Sequence, residues 1–237
     1  MQLRLAEQST VVSFSDTEFA RVLTPPRIVG PLMTRSGDLT KRATDLALGS
    51  LLIMMFSWLL LFIAVAIKLT SPGPVFFIQE RRGCGRTFRC FKFRSMYHEV
   101  TDEKCQSQTR RNDPRVTRIG KALRKHSLDE LPQLFNVILG DMSLVGPRPH
   151  ALGMNLNGKL LGELVDNYHD RYHVRPGITG WAQVNGCRGI VDTQKKLEDR
   201  LFYDLHYIRN WTLWLDLKIL TRTFFMCLDK KEKENTF

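Results

Sequence analysis

"LALGSLLIMMFSWLLLFIAVAI", residues 46–67, is the stretch on which the fold turns. It runs for 22 residues without a charge, with Lys41, Arg42 and Asp45 before it and Lys68 after it. At about 1.5 Å per residue, a helix of that length matches a hydrocarbon core about 30 Å thick. A buried helix of a soluble protein is the alternative, but the length and purity of the run favour a membrane segment. Both flanks are basic. Arg27, Arg35, Lys41 and Arg42 stand against Asp38 on one side, and Lys68, Arg81, Arg82, Arg86, Arg89, Lys92 and Arg94 against Glu80 on the other. Positive charge favours the cytoplasmic side, so both ends are expected there. A straight crossing would export one basic flank, whereas a helix that enters and turns back keeps both inside. Turning back needs a break, and "FSW" (residues 56–58) offers only Ser57, a weak one. On the residues alone, the re-entrant and spanning forms both stay open.

The chain has 237 residues, with 35 Lys and Arg against 24 acids, a formal charge of +11. Such a balance points to an anionic partner: nucleic acid, an acidic membrane surface or phosphorylated substrates. Five cysteines, odd in number and without a C-x-x-C, argue against structural zinc and a disulfide framework. Residues 1–40 read as a polar leader without a signal peptide, 41–68 as the membrane helix, 69–228 as a domain on the same side as the basic flanks, and 229–237 as a charged tail.

Downstream, "VFFIQE", "RRGCGR" and "TFRCFKFRSM" predict a β-hairpin. Residues 97–113 suggest a short helix and loop, and "RVTRIGKALRKH" a basic helix. Residues 150–170 read as a loop and then a helix. "TQKKLEDRLFYDLHYIRN" reads as an amphipathic helix. "WTLWLDLKILTRTFFMCL" carries Leu213, Leu217, Leu220, Phe224 and Leu228 on one stripe, the pattern of a helix lying in the headgroup layer. The expected class is α+β, mostly α-helical, with one re-entrant or spanning membrane helix, a small hairpin and C-terminal interfacial amphipathic helices. His169 and His173, four apart, read as structural in the absence of a third ligand.

In a chain this basic, "SLDELPQLFNVILGDMSLVGPRP" (residues 127–149) sets Asp129 beside Glu130 ahead of an apolar run. Ser127-x-x-Glu130 fits a capping box, with Asp129 complementing the helix dipole. Pro132 then falls at the fifth helical position, where its missing N–H matters. A cap at Leu128 or Asp129 would place the proline in the tolerated first turn and leave the carboxylates at the helix mouth. Arg124, Lys125 and His126 precede the pair, and Arg148 sits between two prolines. Arginines near a helix start suit phosphate. A carboxylate there can coordinate Mg²⁺ or attack phosphorus to give an acyl-phosphate. Phosphoryl transfer at a membrane face is the chemistry suited to such a site. A membrane-tethered basic protein that binds nucleic acid or anionic lipid would explain the charge but not the acid pair.

"KRATDLALGSLL", "SPGPVFFIQERRG", "FKFRSM", "DPRVTRIGKALRKHSLDELPQLFNVILGDMSLVGPRP" and "VRPGITGWAQVNG" occur in that order. Together, over residues 40–228, they resemble the bacterial sugar transferases, monotopic polyprenyl-phosphate phosphoglycosyl transferases. The resemblance implies an inner-membrane enzyme at the cytoplasmic face. Such an enzyme moves a hexose-1-phosphate from a UDP-sugar to undecaprenyl phosphate, releases UMP and opens synthesis of an exopolysaccharide, lipopolysaccharide or related glycan. It implies that Asp129 is the nucleophile, that Glu130 holds Mg²⁺, and that Arg124 and Arg148 grip phosphate with Lys92 close by. Arg175, Gln183 and Asn185 fall in the matching glycine-rich block without individual roles. Membrane lipid and downstream glycosyltransferases, rather than nucleic acid, become the expected partners. The family's helix breaks at a Ser-Pro pair; here Ser57 is followed by Trp58. Larger members carry further N-terminal helices and a soluble domain, so this sequence reads as the minimal architecture.

Overall fold

A computed structural model describes residues 30–98, 113–156 and 158–229. The leader up to residue 29, most of the polar stretch 97–113 and the tail from 230 lie outside the described residues. Helix α1, Arg35–Thr70, is longer than the predicted 41–68 at both ends. Thr34 caps it by accepting from the Gly37 N–H at 3.1 Å, and Asp38 sits in its first turn. The helix is continuous through Ser57, whose hydroxyl donates to the Met54 carbonyl at 2.9 Å.

Strands β1 (Phe76–Gly83) and β2 (Arg86–Phe93) form the expected antiparallel hairpin, registered from Phe76 opposite Phe93 to Gly83 opposite Arg86. Cys84 and Gly85 close it with φ of 48° and 72°, the left-handed pair that a two-residue turn requires. Along β2, Phe88 and Cys90 face the core, and Lys92 shares their side. Helix α2 (Arg118–Lys125) follows, capped by Thr117, and then α3 (Gln133–Leu139). Asn136 of α3 is fully buried, accepts from the Phe91 N–H at 2.9 Å and donates to the Arg89 carbonyl at 2.7 Å. The side chain thus completes the free edge of β2 as another strand would. Asn136→Leu strands two edge groups at about 1–3 kcal/mol each. Urea or thermal unfolding is expected to show a loss of at least that size.

Strand β3 (Ser143–Val145) pairs in parallel with β6 (Gly177–Thr179), a contact that no local pattern in the sequence marks. It fastens the GPRP segment to the later glycine-rich block. Between them lie a two-residue pair, β4 (Asn155–Leu156) and β5 (Lys159–Leu160), a single turn α4 (Leu161–Leu164), and a 3-10 stretch, Tyr168–His173. The helix expected up to 170 is therefore only that turn. After β6 come α5 (Trp181–Val184), α6 (Gln194–Arg209) and α7 (Leu213–Leu228).

Helix α6 is buried almost without interruption from Leu197 to Ile208 and forms the centre of the main core. Of the two C-terminal helices only α7 leaves an apolar face bare: Ile219 and Asp216 face inward, while Trp214 (76% exposed), Leu217, Phe224 and Phe225 face out. Helix α1 behaves likewise. Leu48, Leu52 and Ile53 pack on the main core, and Leu59, Ile63 and Ile67 join a second cluster with Phe93 and Leu123. Its other face, Leu51, Met54, Met55, Trp58, Leu61 and Phe62, is equally apolar yet exposed. A helix that is apolar all round with one bare face is matched to lipid rather than to water.

Both ends of α1 are tied to the same body. Near the start, Lys41 bridges Asp45 (3.1 Å) and Asp216 of α7 (3.0 Å), all buried. One turn on from Asp38, Arg42 donates to the Val137 and Ile138 carbonyls at the end of α3. At the far end, Arg94 donates to the Ser71 and Pro72 carbonyls at 2.8 and 2.6 Å.

Candidate active site

The acid pair sits on neither a capping box nor a helix. Helix α2 ends where the His126 N–H bonds the Ala122 carbonyl, and Ser127 turns into the left-handed region with φ of 55°. That conformation takes the Ser127 hydroxyl away from any capping bond, and Leu128–Glu130 form one 3-10 turn. Pro132 (φ −61°) then starts α3, where its missing N–H removes no helical bond. The Ser127–Glu130 box that the spacing allowed is not formed: the proline sets the helix start beyond the acids, later than either alternative cap at Leu128 or Asp129. Leu128 and Leu131, flanking the pair, pack into the cluster formed with Leu59, Ile63 and Ile67 of α1. The two carboxylates therefore stand on a turn seated directly upon the apolar helix.

Their surroundings differ sharply. Glu130 is forked by Arg148, whose Nη1 donates to Oε2 at 3.0 Å while Nη2 donates to Oε1, and Lys92 Nζ reaches the same Oε1 at 2.6 Å. Burial alone would raise its pKa; the Arg148 and Lys92 charges outweigh that and hold the carboxyl well below its ordinary value. Asp129 is 8% exposed, and among the described residues it accepts no hydrogen bond. Burial pushes its pKa up, with the Glu130 charge adding to the rise and Lys92, Arg124 and Arg148 opposing it. Arg124 anchors its Nε on Ser95 Oγ at 2.8 Å, and among the described residues its two terminal nitrogens have no partner. Among the described residues, three cations (Lys92, Arg124, Arg148) thus act on these two carboxylates, one positive charge more than the pair carries when both are ionised. One acid is locked, and the other has its lone pairs free.

Lys92, Arg124, Asp129, Glu130 and Arg148 are thus brought together. Gln183 stands behind them: its Nε2 donates at 3.3 Å to the Ile178 carbonyl, which also accepts from Arg148 Nη1 at 3.3 Å. Asn185 closes α5 by donating to the Trp181 carbonyl at 2.8 Å, and accepts from Arg222. Arg175 is elsewhere. It pairs with Asp38 at the start of α1 and lines a separate cleft with Leu32, Thr34 and Cys84, at the turn end of the hairpin. Lys92 lies near the opposite end, roughly 20 Å along β2 at about 3.3 Å per residue.

Among the described residues no three His, Cys, Asp or Glu side chains converge as metal ligands. Mg²⁺ does not demand such a cage: one or two carboxylates with water and substrate phosphate oxygens suffice. On the Asp129–Glu130 turn, Asp129 accepts no hydrogen bond among the described residues, whereas both Glu130 oxygens already accept from Arg148 and Lys92, so Glu130 could ligate such an ion only in exchange for one of them.

The family model described as bacterial sugar transferase matches residues 36–230. Over 186 residues, 78% of this chain, the sequence is 54% identical to an undecaprenyl-phosphate glucose phosphotransferase of Komagataeibacter xylinus, covering 35% of that protein. It is 50% identical over 188 residues to the UDP-glucose:undecaprenyl-phosphate glucose-1-phosphate transferase of Escherichia coli K12, covering 79% of this chain and 40% of the relative. A UDP-N-acetylgalactosamine-undecaprenyl-phosphate N-acetylgalactosaminephosphotransferase of Aeromonas hydrophila is 45% identical, with 77% and 42% covered. The chain therefore spans between about a third and two fifths of the length of these relatives.

Proposed function

This chain belongs to the bacterial sugar transferase family, and we propose that it transfers a hexose-1-phosphate from a UDP-sugar to undecaprenyl phosphate at the cytoplasmic face of the bacterial inner membrane. The observation that carries the reading is the unlike environment of two adjacent carboxylates. Glu130 is held by two cations, whereas among the described residues Asp129 accepts no hydrogen bond and the terminal nitrogens of Arg124, whose charge acts on it, have no partner.

In the first step an Asp129 oxygen attacks the β-phosphorus of the donor. The bond from that phosphorus to the bridging oxygen breaks, and UMP leaves with the electron pair. The product is an acyl-phosphate joining Asp129 to the sugar phosphate. In the second, a phosphate oxygen of the polyprenyl acceptor attacks the same phosphorus and displaces the Asp129 carboxylate. Lys92, Arg124 and Arg148 offset the charge spread over the phosphate oxygens. Glu130, with Asp129 adjacent, would hold Mg²⁺, which when bound neutralises diphosphate charge. The relatives' names make UDP-glucose the first donor to test and UDP-N-acetylgalactosamine the second. Release of UMP from one UDP-sugar, dependent on undecaprenyl phosphate and Mg²⁺ for turnover, is the expected result. Absence of release from every donor, by protein that is folded in detergent, would overturn it.

The membrane reading rests on how α1 meets the body. Contacts recur at Leu48, Gly49, Leu52, Leu59, Ile63 and Ile67, so no run of about 20 residues is left to cross a bilayer alone. Anchors at Lys41, Arg42 and Arg94 add to that. Because α1 is unbroken at Ser57, they support a helix whose bare apolar face is embedded in one leaflet while both ends stay with the body, rather than one that turns back on itself, with α7 in the headgroup layer. Cysteines placed at residues 40 and 70 are expected to react with impermeant reagent in inside-out vesicles only. Labelling of either from the outer face would establish a span.

A further inference from the structure

The Gly146 N–H of the GPRP segment donates to the Thr179 carbonyl at 2.9 Å; beyond it Pro147 and Pro149 have no N–H, so the stretch around Arg148 is fastened through the carbonyls of Pro147, Arg148 and Pro149. All three are taken. Pro147 accepts from the Gly177 N–H at 2.9 Å, Arg148 from Arg171 Nη2 at 2.7 Å, and Pro149 from Arg81 Nη1. Arg171 is 2% exposed, and the same Nη2 donates to Asp204 Oδ2 of α6 at 2.6 Å. Its Nη1 lies 2.8 Å from His150 Nδ1 and 3.3 Å from the Tyr168 hydroxyl. A second buried guanidinium, Arg200, touches His150 and donates to the Gly189 carbonyl. Taking these charges out of water is expensive, and an apolar cluster of similar volume is often as stable or more so. Fold stability alone therefore gives no reason for an ion pair in this position.

We infer that Arg171, held by Asp204, is a positioning residue for the transfer: it fixes the Arg148 backbone so that the Arg148 fork meets Glu130 and the incoming phosphate. The inference rests on the proposed reaction for its consequence but not for its geometry. Arg171 touches no reacting atom. A planar fork is needed because one nitrogen serves both Asp204 and the Arg148 carbonyl while the other serves His150. A lysine keeps the charge and loses this geometry.

The test is a double-mutant cycle of Arg171→Lys and Arg148→Ala, read as kcat/KM for UMP release from UDP-glucose and corrected for the folded fraction. Arg171→Lys is expected to lower kcat/KM on the order of 10- to 100-fold in the parent. In the Arg148→Ala background it is expected to change it less than about twofold, because its route of action is gone. Equal losses in both backgrounds would overturn the inference and leave Arg171 a fold staple. If Arg171→Lys does not fold, Asp204→Asn, which keeps shape and removes charge, takes its place under the same two criteria. Should no donor release UMP, the proposed reaction fails on its own. The cycle is then read on inorganic pyrophosphate affinity by calorimetry, with the same pattern expected and the same pattern excluded.

Discussion

Asp129→Asn is expected to abolish UMP release, by at least about 10⁴-fold, and to make the protein more stable. The first effect follows from removing the attacking oxygen, since neighbouring groups cannot supply a nucleophile. The second follows from linkage. Burial raises the pKa of Asp129 in the fold, so its ionised form is disfavoured there relative to the unfolded chain. The stability that such a group contributes is present below its unfolded pKa and is lost as pH rises through the folded one. At neutral pH the carboxylate is therefore a net strain on the fold, and asparagine relieves it. The melting temperature of Asp129→Asn in detergent should exceed that of the parent at pH 7, and the gap should close towards pH 4. A variant that is inactive and less stable at pH 7 would mean that Asp129 is a structural acid.

Glu130→Gln should move stability the other way. Its carboxylate balances Lys92 and Arg148 in a largely buried cluster, and its pKa is held well below the ordinary value by those cations. Removing the charge leaves two guanidinium or ammonium groups uncompensated, a loss of about 3–5 kcal/mol. A depressed pKa contributes stability that is present above the unfolded value and is lost as pH falls through the folded one. The defect should therefore be largest at neutral pH and shrink in acid, the same trend with pH as for Asp129→Asn but from a deficit. Activity should fall as well, because Lys92 and Arg148 lose the anion that aims them. Paired melting curves at pH 7 and pH 4 separate the two carboxylates by sign, which a shared capping role could not do. Equal shifts in both variants would contradict the assignment of unlike roles.

Local rules carried much of the fold. Alternation in β2 around the Cys84-Gly85 turn marked the hairpin, and the uncharged run marked α1. The long motif supplies Arg124, Asp129, Glu130 and Arg148, the separate FKFRSM stretch supplies Lys92, and the fold groups all five. What the sequence left open was one local choice of helix start, and beyond it the features set by distant partners. Ser127-x-x-Glu130 has capping spacing, but Ser127 adopts a left-handed turn and Pro132 sets the helix start. Arg175 shares a motif with Gln183, yet its partner is Asp38, 137 residues away. The β3–β6 pairing is parallel and only three residues deep, too short to leave a period in the sequence. Arg200 and Asp204 look like the polar side of an amphipathic helix, yet both are buried, Asp204 paired with Arg171 and Arg200 beside His150. Residues 97–113 remain an expectation, since most of them lie outside the described residues.

The covalent step is the centre of this account, and one measurement reaches it directly. The protein is incubated with UDP-glucose and Mg²⁺ without polyprenyl phosphate, then quenched, digested and weighed by mass spectrometry. The account predicts one phosphohexose on the peptide containing Asp129, removed by hydroxylamine, absent from Asp129→Asn and discharged by undecaprenyl phosphate. UMP release on adding the acceptor, with no adduct at any stage or with the adduct on another residue, would contradict it.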